Sequence, residues 1–227
     1  MASTNQLFVF GLFLTFTTIT IATPPAYLQT ESFLECRERS NDLLEPVIRC
    51  LSNEFSPDKV NETARLYSDT TACLYCKHVC RELNQIKECL RQGVESMKDF
   101  SNKAKTMIPS SVQLAETLAD YFCSAEREMF LGLTDEDMSC LKNSWDECKS
   151  NLDFVRNMDA VALCEFEDPV ATNLYTMEYV CKESGAYLDC SKKSVLPCSY
   201  RVHNTFAAFK AVLLISAPCD KYDVKVR

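Results

Sequence analysis

Apolar residues recur along this chain at alternating spacings of three and four, the period of a helix that buries one face. Met138, Leu141, Trp145, Cys148, Leu152 and Val155 form one such stripe. Thr134 stands at its head, where a side-chain oxygen can accept from first-turn amides. Asp135, Glu136 and Asp137 follow where the helix dipole favours negative charge. A second stripe, Ala115, Leu118, Phe122, Ala125 and Met129, is preceded by Pro109 and Ser110, with Gln113 placed to complete a capping box. Asp168-Pro169 predicts the start of a third helix through Val170, Leu174, Met177 and Cys181, and Ser56-Pro57-Asp58 starts another before Val60. Cys73, Cys76, Cys80, Leu83, Ile86 and Leu90 share one face of a continuous helix, which aims three thiols at the core. From Phe206 to Ile215 the chain is apolar except for Lys210, and Pro218 and Cys219 close the run; its length suits a core helix rather than a membrane span.

Beyond the first 22 residues the glycines are Gly93, Gly132 and Gly185, too few for the tight turns of a sandwich or barrel. The predicted fold class is therefore all-α, a disulfide-rich multi-helix bundle forming a single domain over residues 23–227. One faint repeat is visible. Val79-Cys80-Arg81-Glu82 leads to Cys89 as Val180-Cys181-Lys182-Glu183 leads to Cys190, with eight residues between the cysteines each time. Coincidence in a cysteine-rich helical chain and internal duplication both account for that echo.

The N-terminus changes the expected compartment. Leu7 to Ile21 is apolar and uncharged and ends in Thr20-Ile21-Ala22, whose small residues suit a signal peptidase, so residues 1–22 are expected to be a signal peptide cleaved after Ala22. Export to an oxidising compartment gives the cysteines their meaning. All fourteen, Cys36, Cys50, Cys73, Cys76, Cys80, Cys89, Cys123, Cys140, Cys148, Cys164, Cys181, Cys190, Cys198 and Cys219, follow that segment, and seven disulfides are expected in unassignable pairs. The formal charge of −8 disfavours nucleic acid and anionic membrane surfaces as partners. Asn61-Glu62-Thr63 is an N-glycosylation sequon.

Motifs for catalysis are weak. Cys73-Leu74-Tyr75-Cys76 has the spacing of a redox pair but lacks a βαβ context. The same cysteines with His78 and Cys80 could be read as zinc ligands, yet on a helix His78 points away from the thiols. His78 and His203 are the only histidines, no nucleophile elbow is present, and Asp135-Glu136-Asp137 lacks the glycine and terminal glutamate of a calcium loop. No catalytic residue, metal or cofactor is expected.

The C-terminal half carries a cysteine rhythm: Cys123, then Cys140-Leu141 and Cys148, then Cys181, Cys190, Cys198 and Cys219. Tyr121-Phe122-Cys123, Met129-Phe130-Leu131 and the apolar run from Phe206 to Pro218-Cys219 accompany it. In these features the chain resembles the insect 27-kilodalton haemolymph glycoprotein family. The resemblance implies a secreted, non-enzymatic extracellular glycoprotein and supplies no site residue. Three functional expectations follow. The first is a carrier of a small apolar ligand, with a pocket near Phe122, Phe130, Trp145 and Phe209. The second is an interaction or defence protein that engages an extracellular protein through its surface. The third is a thiol oxidoreductase using Cys73 and Cys76.

Overall fold

The structure, a computed structural model, describes residues 26–68, 72–124 and 133–222. The expected signal peptide and three residues of the expected stripe and pocket, Ala125, Met129 and Phe130, lie outside the described residues. Among those described, all regular structure is helical. A 3-10 turn at Ala26–Gln29 leads into α1 (Glu31–Glu54), α2 (Pro57–Tyr67), α3 (Leu74–Arg81), α4 (Leu83–Met97) and α5 (Asn102–Ser124). After these come α6 (Asp135–Cys148), a 3-10 turn at Lys149–Leu152, the single turn α7 (Asp153–Arg156) and a π-turn at Asp159–Leu163. The last described elements are α8 (Pro169–Leu174), α9 (Met177–Ser194), α10 (Tyr200–Ile215) and a 3-10 turn at Cys219–Lys221.

The predicted helix starts are found at three of these helices, and the side-chain cap forms at two of them, Ser56 making no capping hydrogen bond. Thr134 accepts from the Asp137 amide while the Asp137 carboxylate accepts from the Thr134 amide, a reciprocal capping box at α6. The backbone amide of Glu136 and the Thr134 side chain also lower the Glu136 carboxyl pKa from its ordinary value. Asp168 accepts from the Val170 amide ahead of Pro169, and Ser56 precedes Pro57 at the start of α2.

Four boundaries differ from those the sequence suggests. The stripe from Met138 to Val155 is not one helix, since α6 ends at Cys148 and Leu152 and Val155 fall in the 3-10 turn and α7. α5 does not begin at Ser110: it starts at Asn102, where the Ser101 hydroxyl accepts from the Ala104 amide, and Pro109 lies inside it. α1 likewise contains Pro46. A proline in a helix strips the carbonyl four residues back of its partner, and here those residues, Lys105 and Asp42, are exposed to water. The stripe read through Val170, Leu174 and Met177 is two helices. The backbone turns at Tyr175, Thr176 caps α9 by accepting from the Tyr179 amide, and Val170 and Leu174 face solvent. The cysteine stripe is also broken: Cys73 is the N-cap of α3, and Glu82 separates α3 from α4.

Packing follows sequence order. α1 lies on α4 and α4 on α5; in the second half α6 lies on α9 and α9 on α10. The halves meet where α5 contacts the π-turn and α10. At the α1–α4 crossing the helices come together at Gly93, where an added Cβ would lie 2.7 Å from Val47 Cγ2 and 3.2 Å from Met97 Cε. Met97 can swing aside, but Val47 is β-branched and stiff. Gly93→Ala is therefore expected to lower stability by about 1–2 kcal/mol through overpacking, despite a helix-propensity gain of about 1 kcal/mol. Urea unfolding measures this, and adding Val47→Ala should restore part of the loss.

All fourteen cysteines are paired: Cys36–Cys164, Cys50–Cys89, Cys73–Cys76, Cys80–Cys123, Cys140–Cys198, Cys148–Cys190 and Cys181–Cys219. The buried apolar residues form two clusters. The larger runs through both halves, and the smaller gathers Cys73, Cys76, Leu133, Val195 and Val202 with Phe122, Phe206 and Phe209 at its margin.

Candidate functional site

Three places concentrate side chains able to do chemistry, and the first is the cysteine segment. Cys73 caps α3, and its sulfur accepts from the Cys76 amide at 3.3 Å. The two thiols are joined to each other and buried in the smaller apolar cluster, while Cys80 is bonded to Cys123 on α5. His78 points to the opposite side of the helix, so it and the three cysteines do not converge on a metal. Among the described residues no group of three or more metal-ligating side chains comes together.

The second place is where His78 does point. Its ring is fully buried between the end of α1 and the middle of α2. Nε2 donates to the Glu54 carbonyl at 2.8 Å, and Nδ1 lies 2.8 Å from the Thr63 hydroxyl. A carbonyl can only accept, so Nε2 carries the hydrogen, and in the tautomer this leaves, Nδ1 accepts from Thr63. The Phe55 ring meets the imidazole edge-on, with centroids 5.3 Å apart. Around this knot Arg81 bonds both Thr63 and Glu62, and Lys59 bonds Glu54 with Glu82 beyond it. The Glu54 carboxylate raises the Lys59 pKa by hydrogen bonding. The arrangement ties the α1–α2 corner to α3, and its imidazole is sealed from any substrate. Sequence reasoning gave His78 a direction and missed this partnership, because nothing in the spacing of Thr63 and His78 marks them as neighbours.

The third place carries no sequence signal. A π-turn widens the helix by one residue and changes which carbonyls find amide partners. At Asp159–Leu163 a lysine from α5 meets this turn: Lys103 Nζ donates to the Ala160 carbonyl at 2.6 Å and the Cys164 carbonyl at 3.3 Å. The ammonium lies over the rings of Phe166 and Tyr175, which stack on each other, with Phe33 stacked on Phe166 and Tyr27 and Tyr179 edge-on to Tyr175. Arg37 from α1 pairs with Asp159 at 3.0 Å. Burial pushes the Lys103 pKa down to about 8, and Glu165 pulls it partly back. Burial likewise raises the Tyr175 phenol.

The lysine has a pH consequence. Its folded pKa is near 8 against 10.5 unfolded. Between those values the unfolded chain binds the extra proton, so the lysine's contribution to stability rises with pH through that window and is flat below it. Denaturation of the native protein and of Lys103→Met from neutral pH to pH 10 is expected to show the native chain gaining on the variant above pH 8. Parallel pH profiles would remove the burial effect.

Of the aromatic residues expected to frame an apolar pocket, Phe122 and Phe209 pack against each other and Trp145 packs on Tyr187. Phe209 meets Tyr121 at 5.4 Å and Phe122 at 6.0 Å between centroids, and Trp145 meets Tyr187 edge-on at 6.1 Å. An open cleft of about 400 Å³ lies elsewhere, between α1, the start of α5 and the π-turn. Its lining is mainly polar, with Arg39, Lys105, Asp99 and Glu165 among its walls. The cleft's helix N-terminus is already served, since the Glu165 carboxylate accepts from the Lys103 amide.

No protein-family model, curated protein or solved structure matches this chain. Its site is therefore read from its own residues. Asn61 is exposed on α2, whereas Thr63 of the same sequon is fully buried against His78. Among the described residues no helix is long and apolar enough to cross a membrane.

Proposed function

We propose that this protein is a secreted, non-enzymatic extracellular glycoprotein that acts through its surface. The observation that carries this reading is that every cysteine is joined to another, seven bridges among packed helices. Such a framework persists where thiols are kept oxidised and is rare where they are kept reduced. The uncharged apolar N-terminus and the exposed Asn61 agree with it, as does the resemblance of the cysteine spacing to that of the haemolymph glycoproteins. The ring-to-ring packing of Tyr121, Phe122 and Phe209, and the polar lining of the open cleft, favour a surface role over carriage of an apolar ligand.

Expression in a secreting eukaryotic cell tests the reading. The expected product is found in the medium, starts after Ala22, resists native thiol alkylation and loses mass with a peptide N-glycosidase unless Asn61 is replaced by Gln. Retention inside the cell with alkylatable thiols refutes it. Native mass spectrometry separates the two extracellular readings: the bare glycoprotein mass is expected, and a retained lipid-sized mass returns the carrier.

A further inference from the structure

The disulfides repeat. In the first half, Cys50 at the end of α1 is bonded to Cys89 on α4, and Cys80 at the end of α3 is bonded to Cys123 at the end of α5, with separations of 39 and 43 residues. In the second half, Cys148 at the end of α6 is bonded to Cys190 on α9, and Cys181 on α9 is bonded to Cys219 just past α10, with separations of 42 and 38 residues. Each middle helical segment thus carries two cysteines with eight residues between them. The first bonds forward to the third helix and the second bonds back to the first helix. The helix contacts repeat with them: first on middle, middle on third, in both halves. The echo Val79-Cys80-Arg81-Glu82 and Val180-Cys181-Lys182-Glu183 falls at matching places in this scheme.

We infer that the chain consists of two copies of one module, three helical segments crossed by two disulfides, occupying residues 31–124 and 135–219. A spacing echo in sequence is cheap in a cysteine-rich helical chain. The same bonding partners, the same helix order and the same contact order are independent of it. The copies have diverged around one residue. Glu82 breaks the middle segment of the first module, where its carboxylate faces Lys59 and Arg81, whereas α9 runs unbroken through Glu183. His78, one turn before the break, has Tyr179 at the equivalent place. The other three disulfides were added to this scheme: Cys73–Cys76 within the first module, Cys140–Cys198 within the second, and Cys36–Cys164 between them. A disulfide of one module therefore restrains that module's helices more than the other's, although one apolar cluster runs through both.

Two measurements on the full-length secreted protein test this. Non-reducing peptide mapping of the native chain is expected to recover the four repeating pairs. A link from Cys50, Cys80, Cys89 or Cys123 to any cysteine of the second half overturns the proposal. Hydrogen exchange is then compared between Cys80→Ser/Cys123→Ser and Cys181→Ser/Cys219→Ser. The first variant is expected to exchange about tenfold faster or more within α3 to α5 alone, and the second within α9 and α10 alone. Equal loss of protection in both halves for either variant also overturns it. Should a variant not fold, the mapping result decides by itself.

Discussion

Replacing Cys36 and Cys164 together by serine lowers the midpoint of thermal unfolding by about 10–20 °C. Their sulfurs join positions 128 residues apart in the chain. Closing a loop of that size removes about 5 kcal/mol worth of unfolded-state entropy, and for a chain of this length each kcal/mol moves the midpoint by about 2–4 °C. No other disulfide ties the halves covalently, and it sits beside Arg37–Asp159 and the π-turn, so its loss also loosens the contact between modules. Cys73→Ser/Cys76→Ser is the internal comparison. These residues are 3 apart, and their loop accounts for about 2 kcal/mol at most. Circular dichroism melts of both variants check the order, and equal midpoints would sink the loop-size account.

His78→Leu costs about 2–4 kcal/mol. The leucine fills similar space but leaves the Glu54 carbonyl without its donor and the Thr63 hydroxyl without its ring partner, in a place with little water to replace them. The Thr63 hydroxyl keeps the Lys59 carbonyl and Arg81, so the cost falls mainly on the buried Glu54 carbonyl left unpaired, the kind of loss that accounts for the upper end of single-substitution effects. His78→Gln, which can still donate an amide hydrogen toward the Glu54 carbonyl, should lose less. Urea denaturation read by far-ultraviolet circular dichroism measures both, and a His78→Leu loss below about 0.5 kcal/mol would show the hydrogen bonds to be incidental.

Helices, their amphipathic faces and the completeness of disulfide pairing were all legible in the sequence, because each depends on residues within a turn or two of one another or on simple number. The stripe from Met138 to Cys148 and the caps at Thr134 and Asp168 are local facts of this kind, whereas Leu152 and Val155, read on the same stripe, fall past the end of α6 in a 3-10 turn and in α7. The boundaries that went astray did so through competition with distant partners. Pro109 looked like a start because a helix interior rarely tolerates it, but the carbonyl it orphans belongs to an exposed residue, and Ser101 offered an earlier cap. Val170 and Leu174 kept the period of a buried stripe while Tyr175 was drawn away into a ring cluster with Tyr27 and Phe166. Lys103 could not have been singled out at all. Its place against the Ala160 and Cys164 carbonyls depends on a π-turn, and no residue pattern announces one. The repeat stood between chance and duplication until the bonding partners were known, since pairing is a long-range property.

The burial of Thr63 imposes an order of events on biosynthesis. An enzyme that recognises Asn-x-Thr through the threonine hydroxyl finds that oxygen engaged by His78 and Arg81 once the α1–α2 corner has seated on α3. On the proposed reading, sugar transfer to Asn61 takes place on the nascent polypeptide, ahead of that closure. Conditions that hasten closure should shift the secreted population toward chains without the oligosaccharide.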